Sequence, residues 1–447
     1  MKKFLYSVFM LAAVVLAACS NDDNGDTQPK RGMTLNASVE NLSSRATMTD
    51  ESGTWKFAFA ANDQVSVSNS KITNYYTFTN NGSQFTSTDA MVTTEDADWY
   101  AYFPGNEVYL TNQTGTFADV ANKFAVAGKT AAATTGEKGL SITLKPKVAV
   151  LRVVAVDKNG ILDIHVKTTA DDKWVKGLTA TKNAADFTVS TSDTKTTLLH
   201  KAAGEVKAGD INYVVVPAGV KIAIYNGDML LNTTKKDEGL TAGKYYTITS
   251  GPTKGTANAL INGKETSIKW VQLWPGGPRF ATDNVKEEMT WTDAAKTGKD
   301  YVWGENWRTP TVEEVTEPGG LQANWVVDKV TEKGEWVVPA GSPTISVTME
   351  DGKEKTVVFT GVKPGYTKNT LTLYNKVGND GYSHFDFWTT TPGLNNNSGS
   401  QFQISTYYNK DKKYNEIAGW GINTIVPKDT KCLVRPVLSI QNITNNK

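Results

Sequence analysis

Val148-Ala149-Val150-Leu151-Arg152-Val153-Val154-Ala155-Val156 decides the class of fold. Nine residues with one charge and six valine or leucine side chains are too short for a buried helix and suit a strand covered on both faces. The run stops at Asp157-Lys158-Asn159-Gly160, and Ile161-Leu162-Asp163-Ile164 follows. Asn-Gly favours the positive φ angles of a two-residue turn, so the spacing predicts a hairpin here. A second hairpin is predicted around Lys221-Ile222-Ala223-Ile224-Tyr225, Asn226-Gly227 and Met229-Leu230-Leu231. Ile211 to Val216, stopped by Pro217, and Lys244 to Ile248 read as further strands.

Upstream the same period-2 alternation continues. Trp55-Lys56-Phe57-Ala58-Phe59 and Val65-Ser66-Val67 place every second side chain on one face. Helical periodicity is scarce from Met33 to about Ser250, so this part is expected to be all-β and sandwich-like. A low-complexity stretch, Ala127 to Gly139, suits a boundary between two β-domains, at 33–135 and 136–250.

After Gly251 the composition changes. Of the 12 tryptophans, Trp55, Trp99 and Trp174 precede residue 251, and all the others follow it. Residues 251–447 therefore read as a separate domain, with Gly251-Pro252-Thr253-Lys254-Gly255-Thr256 as the linker. Within it Thr311 to Glu314 has the spacing of a capping box: the threonine accepts the third amide and the glutamate reaches back. A short helix is expected over Val312-Glu313-Glu314-Val315, ending at Pro318-Gly319-Gly320.

The N-terminus reads as an export signal. Lys2 and Lys3 precede an apolar run from Phe4 to Val15, shorter than the roughly 20 residues that span a bilayer. Leu16-Ala17-Ala18-Cys19 then has the form of a lipobox, which makes residues 1–18 a lipoprotein signal peptide and Cys19 the lipidated first residue. Residues 19–32 are polar and read as a flexible tether.

Charge and cysteine content exclude several classes. Lys+Arg is 47 and Asp+Glu is 46, so no basic surplus exists to neutralise phosphates, and nucleic acid is not an expected partner. With Cys19 alkylated, Cys432 is the second and last cysteine, and the mature chain has no internal disulfide. His165, His200 and His384 lie far apart, no Cys/His cluster has zinc spacing, and no metal or cofactor is expected. No Ser/His/Asp triad or paired carboxylate follows from spacing, so the chain is expected not to be an enzyme.

Three resemblances follow. Asp22 and Asp23 after the lipid cysteine resemble the surface-export signal of Bacteroidetes lipoproteins. Ser44-Arg45-Ala46-Thr47, Trp55 with Asn62-Asp63-Gln64-Val65, Trp99-Tyr100-Ala101-Tyr102-Phe103-Pro104, Ala149 to Val153 and Gly243 to Thr247 resemble, in order, the landmarks of fimbrillins, the pilus subunits of Bacteroidales. That resemblance implies two transthyretin-like sandwich domains and cleavage by an arginine-specific protease between Arg45 and Ala46. The candidate departing strand is Met33 to Val39, and a strand from another fimbrillin subunit would fill the groove it leaves. Arg45 is one of only three arginines before residue 251, with Arg31 and Arg152, although an ordinary loop arginine is the plainer alternative.

Tyr301 to Gly304, Trp307-Arg308-Thr309-Pro310-Thr311, Phe387 to Thr390 and Val434 to Val437 resemble a paralogous domain first noted in Fibrobacter, with C-type-lectin-like, α+β relatives. That resemblance makes Trp303, Trp307 and Trp388 core residues. It leaves Trp274 and Trp420, in glycine-rich sequence, as candidate sugar platforms, with Asn395, Asn396 and Asn397 as amide donors. No calcium-dependent sugar signature is present. The expectation is a tip or minor fimbrial subunit that binds a host or bacterial surface glycan or protein. It is held in the outer membrane by its lipid before processing and sits in the fimbrium afterwards. The alternative is a glycan-binding surface lipoprotein that never polymerises.

Overall fold

The computed structural model describes residues 34–39, 59–70, 74–88, 98–130, 139–158, 160–235, 237–316, 321, 335–336, 344–350, 353–360, 369–374, 376–377, 383–409 and 414–439. The fold is mainly β. Cys19, the tether, Arg45, Ala46 and Trp55 lie outside the described residues, as does Pro318-Gly319-Gly320.

The first unit contains β1 (Thr34–Val39), β2 (Gln64–Asn69), β3 (Tyr76–Asn80), β4 (Phe85–Thr86), β5 (Trp99–Phe103), β6 (Glu107–Tyr109), β7 (Val126–Thr130) and β8 (Leu140–Pro146). Helix α1 (Phe117–Lys123) lies between β6 and β7, started by the Thr116 side chain, which accepts from the Asp119 amide. All the strands except β6 close a barrel in the order β1-β4-β3-β2-β5-β7-β8. Alternation is plain on β8, where Leu140, Ile142 and Leu144 are buried at every second position, whereas β2 is buried from Val65 through Asn69.

The second unit follows with β9 (Val148–Val154), β10 (Leu162–Thr168), β11 (Trp174–Thr181), β12 (Asp186–Ser192), β13 (Leu199–Lys201), β14 (Ile211–Pro217), β15 (Ile222–Asn226), β16 (Met229–Thr233) and β17 (Tyr245–Thr249). One sheet has the order β14-β9-β17, and the other runs β12-β11-β10-β15-β16, with β13 on β10 and β6 on β11.

Three expectations need correction here. The Asp157 to Gly160 segment is not a hairpin turn. β9 pairs with β14 and β17, whereas β10 belongs to the other sheet, so the chain crosses between sheets at this point. Every residue of β9 except Arg152 is buried, and an apolar strand of that kind takes the middle of a sheet rather than one arm of a hairpin. By contrast β15 and β16 form the second predicted hairpin, with Asn226 opposite Met229 and Gly227 at φ 59°. The change of sheet also does not fall at 135–136. β8 pairs with β7 and β1 and completes the barrel, and barrel and sandwich share one apolar core. The low-complexity stretch, Ala127 to Gly139, begins in β7 and ends just before β8 of the same unit, with 131–138 outside the described residues.

The third unit comprises β18 (Lys254–Ile261), β19 (Lys264–Gln272), β20 (Arg279–Ala281), β21 (Trp307–Arg308), β22 (Glu335–Trp336), β23 (Thr344–Glu350), β24 (Lys353–Thr360), β25 (Thr370–Tyr374), β26 (Lys376–Val377), β27 (Ser383–His384), β28 (Phe387–Pro392), β29 (Ser398–Asn409), β30 (Tyr414–Pro427) and β31 (Val437–Leu438). Helices α2 (Trp291–Ala294) and α3 (Val312–Thr316) are single turns. Its sheets are β18-β19-β20-β31-β21, then β22-β23-β24-β25, then β26-β27-β29-β28 with β30 on β29.

The third correction is the linker. Lys254 to Thr256 already belong to β18, and Gly251 and Thr253 are buried. The junction is braced as well. The Gly276 amide donates to the Val156 carbonyl at 2.7 Å, and Arg279 Nη2 meets Asp157 Oδ1 at 3.1 Å.

The capping box forms as predicted. The Glu314 amide donates to Thr311 Oγ1 at 3.1 Å, and the Thr311 amide donates to Glu314 Oε2 at 2.9 Å. Arg308 Nη1 also donates to Glu314 Oε2, at 2.7 Å.

Candidate functional site

Two places in the fold offer chemistry. The first is β1. Leu35 is fully buried in the barrel, and Ala37 and Val39 are partly buried against the same core, while Asn36 and Ser38 point outward. β1 meets β8 in parallel over five residues, from Leu35 opposite Leu140 to Val39 opposite Leu144. On its other side it meets β4 at only two positions, Thr34 with Thr86 and Leu35 with Phe85. The fit is close at one end: a Cβ on Gly139 would stand 2.6 Å from the Thr34 carbonyl oxygen, and Gly139 has φ +75°. Taking β1 away would leave the β8 ladder unpaired and open the Leu35 cavity to water.

The second place is the third unit, where the sequence candidates separate. Trp274 is corrected: it is 3% exposed and packs on Phe280 at 6.0 Å. A Cβ on Gly277 would come within 2.6 Å of Trp274 Nε1, so the glycine lets the chain fold over the indole. The glycine-rich sequence that suggested an exposed loop instead permits a close cover. Trp420 lies on β30 opposite Ile404, and its side chain falls outside the described residues.

Asn395, Asn396 and Asn397 are exposed between β28 and β29. Much of their polar capacity is spent locally. Asn395 Oδ1 accepts from the Asn397 amide at 3.0 Å, and the Asn396 carbonyl accepts from Lys428 Nζ at 2.8 Å. This is an Asx turn braced by a lysine. Leu394 beside it is 79% exposed, and its amide donates to Thr424 next to the exposed Ile425.

Trp303, Trp307 and Trp388 are buried, as the motif reading expects. Their neighbourhood is polar where it must be: Trp307 Nε1 donates to the Asn258 carbonyl at 2.9 Å and Trp388 Nε1 to the Met289 carbonyl at 2.8 Å.

Sequence reasoning did not find a cleft of about 340 Å³ lined by Glu288, His384, Asp386, Gln401, Gln403 and Cys432. Its residues come from four separate segments, and no spacing rule links them. Burial pushes the Asp386 carboxyl up to about 7, against the opposing His384 charge and the Ile404 amide. Burial, then the negative charges of Asp386 and Glu288, push the Cys432 thiol above its ordinary range. Cys432 is thus the opposite of an activated thiolate, although the fold brings a histidine into the same cleft. Among the described residues no group of three or more His, Cys, Asp or Glu side chains could hold a metal ion.

No protein-family model matches the sequence, and no curated protein matches it. Solved structures match the chain at low similarity. A candidate cell-adhesion protein of Bacteroides ovatus is 11% identical at a TM-score of 0.32, covering 54% of this chain and 96% of its own. A candidate cell-adhesion protein of Bacteroides uniformis is 12% identical at 0.30, covering 54% and 98%. A fimbrial protein of Bacteroides ovatus is 12% identical at 0.23, covering 92% of this chain and 99% of its own. Likeness at this level carries no functional argument, and function is argued from the geometry of this chain.

Proposed function

We propose that this chain is a surface-displayed fimbrial adhesin whose first barrel accepts a strand from another subunit. In this reading the third unit is the outward head, related to C-type-lectin-like domains, and the protein is not an enzyme. The observation that carries it is β1, which closes the barrel yet is held chiefly by one ladder and one buried leucine. Cleavage after Arg45 would release residues up to 45, and with them both β1 and the lipid on Cys19. The emptied slot would present β8 as a free edge, which a donated strand satisfies by β-augmentation. β31 ties the end of the described chain into the head. It is paired on both sides, with β20 and β21, and so is itself part of the head.

The test is the N-terminus of the protein recovered from cell-surface fibres. It is expected to begin at Ala46, and an Arg45→Ala variant is expected to keep residues 19–45. Recovery of lipid-bearing Cys19 from every fibre-associated copy would refute processing and leave a tethered binder.

A further inference from the structure

The donors and acceptors of the cleft by Asp386 are out of balance. Gln401 Nε2 donates to Cys432 Sγ at 3.3 Å, and Gln403 Nε2 donates to Ser405 Oγ at 3.2 Å. His384 Nδ1 is engaged with the same Ser405 hydroxyl at 3.0 Å. Both glutamine amides have thus turned their nitrogens to the protein. Their oxygens have no partner among the described residues, although Gln401 is 8% exposed. Asp386 Oδ1 is sealed from solvent without a hydrogen-bond partner. Its compensation from the protein is the Ile404 amide and His384, whose Nδ1 lies 4.0 Å from Oδ2, beyond hydrogen-bonding reach.

The wall therefore offers acceptors and a carboxylate whose charge is under-compensated. The thiol beside it senses the same negative field from Asp386 and Glu288. A hydroxyl group brings one donor and also lone pairs that would find few donors here. A primary ammonium brings three donors and no acceptor. The cleft's volume, near the lower end for small-molecule sites, suits the end of one side chain or one ring.

We propose that the cleft formed by Asp386, Gln401 and Gln403 captures a primary ammonium group, with Asp386 Oδ2 and the two amide oxygens as its acceptors. The proposal rests on the reading of the third unit as the binding head, and it names the chemistry of the partner. Two sources share that chemistry: a lysine side chain on a protein surface and an amino sugar. Lys431 also lines the rim and is exposed, so it sets a repulsive border rather than a competing partner.

The experiment titrates the full mature chain with Nα-acetyl-lysine amide, D-glucosamine, D-glucose and N-acetyl-D-glucosamine, followed by ligand-observed NMR at pH 7.5. Saturable binding is expected for at least one of the two amines and for neither neutral sugar. Asp386→Asn and Gln403→Ala should each weaken it at least tenfold, while Lys264→Ala leaves it unchanged. Lysine amide without glucosamine identifies a protein partner; the reverse identifies an amino sugar. Binding of the neutral sugars, amine binding unaltered in Asp386→Asn and Gln403→Ala, or no amine binding by a chain with a normal melting transition would overturn the proposal. None of these outcomes bears on Arg45 processing, so the two readings fail separately.

Discussion

The barrel and the head solve the same problem, burying large aromatics among strands, in different ways. Trp99 in the barrel is fully buried, and its indole nitrogen has no hydrogen-bond partner. In the head, Trp291, Trp307 and Trp388 each donate to a backbone carbonyl, reaching Thr389, Asn258 and Met289. Those bonds tie segments about 50 to 100 residues apart in the chain. In the barrel Tyr102 on β5 makes such bonds too, to the Thr181 and Ala184 carbonyls, but β1 itself is held by its ladder and by aliphatic packing, which a substitute strand can reproduce. The head is held by specific side chain to backbone bonds, which no substitute can. One half is built so that a piece can be exchanged, and the other so that its shape is fixed.

The largest effect that could break this contrast is removal of β1. A chain lacking residues 34–39 is expected to lose protection of the β8 amides in hydrogen exchange and to aggregate through that edge. A peptide spanning residues 33–39 should restore both. Protected β8 amides in the deleted chain would mean that β1 does not hold the barrel. In the intact chain, Leu35→Ala should cost about 2–5 kcal/mol in chemical denaturation.

Asp386 sharpens the comparison from the other side. Its carboxyl is raised from 3.8 to about 7 in the fold, so the native state keeps a proton that the unfolded chain has lost. Its contribution is therefore present below about pH 4 and is lost as pH rises to about 7. Asp386→Asn should flatten that part of the stability–pH curve and stabilise the head at pH 8, by on the order of 3 kcal/mol. An unchanged slope would show that the buried carboxyl is compensated.

Trp388→Phe removes the indole's bond to the Met289 carbonyl, which keeps its bond from the Cys432 amide, and should cost about 1 kcal/mol more than Trp99→Phe, which breaks no hydrogen bond. Equal losses would erase the proposed difference between the halves. Smallest is the cap: Thr311→Ala should cost about 1 kcal/mol. Burial alone would raise the Glu314 carboxyl, but Arg308 and the Thr311 amide hold it below its ordinary value. Its stabilisation is present above about pH 4.5 and falls away in acid, and Glu314→Gln should remove that acid-side loss.

Local pattern carried much of this molecule. Alternation at Val65 and Val67 and the spacing from Thr311 to Glu314 act within a few residues, so backbone geometry alone makes them strand and cap. The sequence also marked Trp307 and Trp388 for the core. The partners of a strand are another matter. β9 lies between β14 and β17 because an apolar strand must be covered on both faces, and only the whole chain can supply the cover. Trp274 reads as a loop tryptophan because glycines surround it; they are there to let backbone close over the ring. The cleft at Asp386 had no signal at all, since it joins residues 288, 384–386, 401–403 and 432. Periodicity is set by neighbours along the chain, whereas burial, pKa and hydrogen-bond balance are set by neighbours across space.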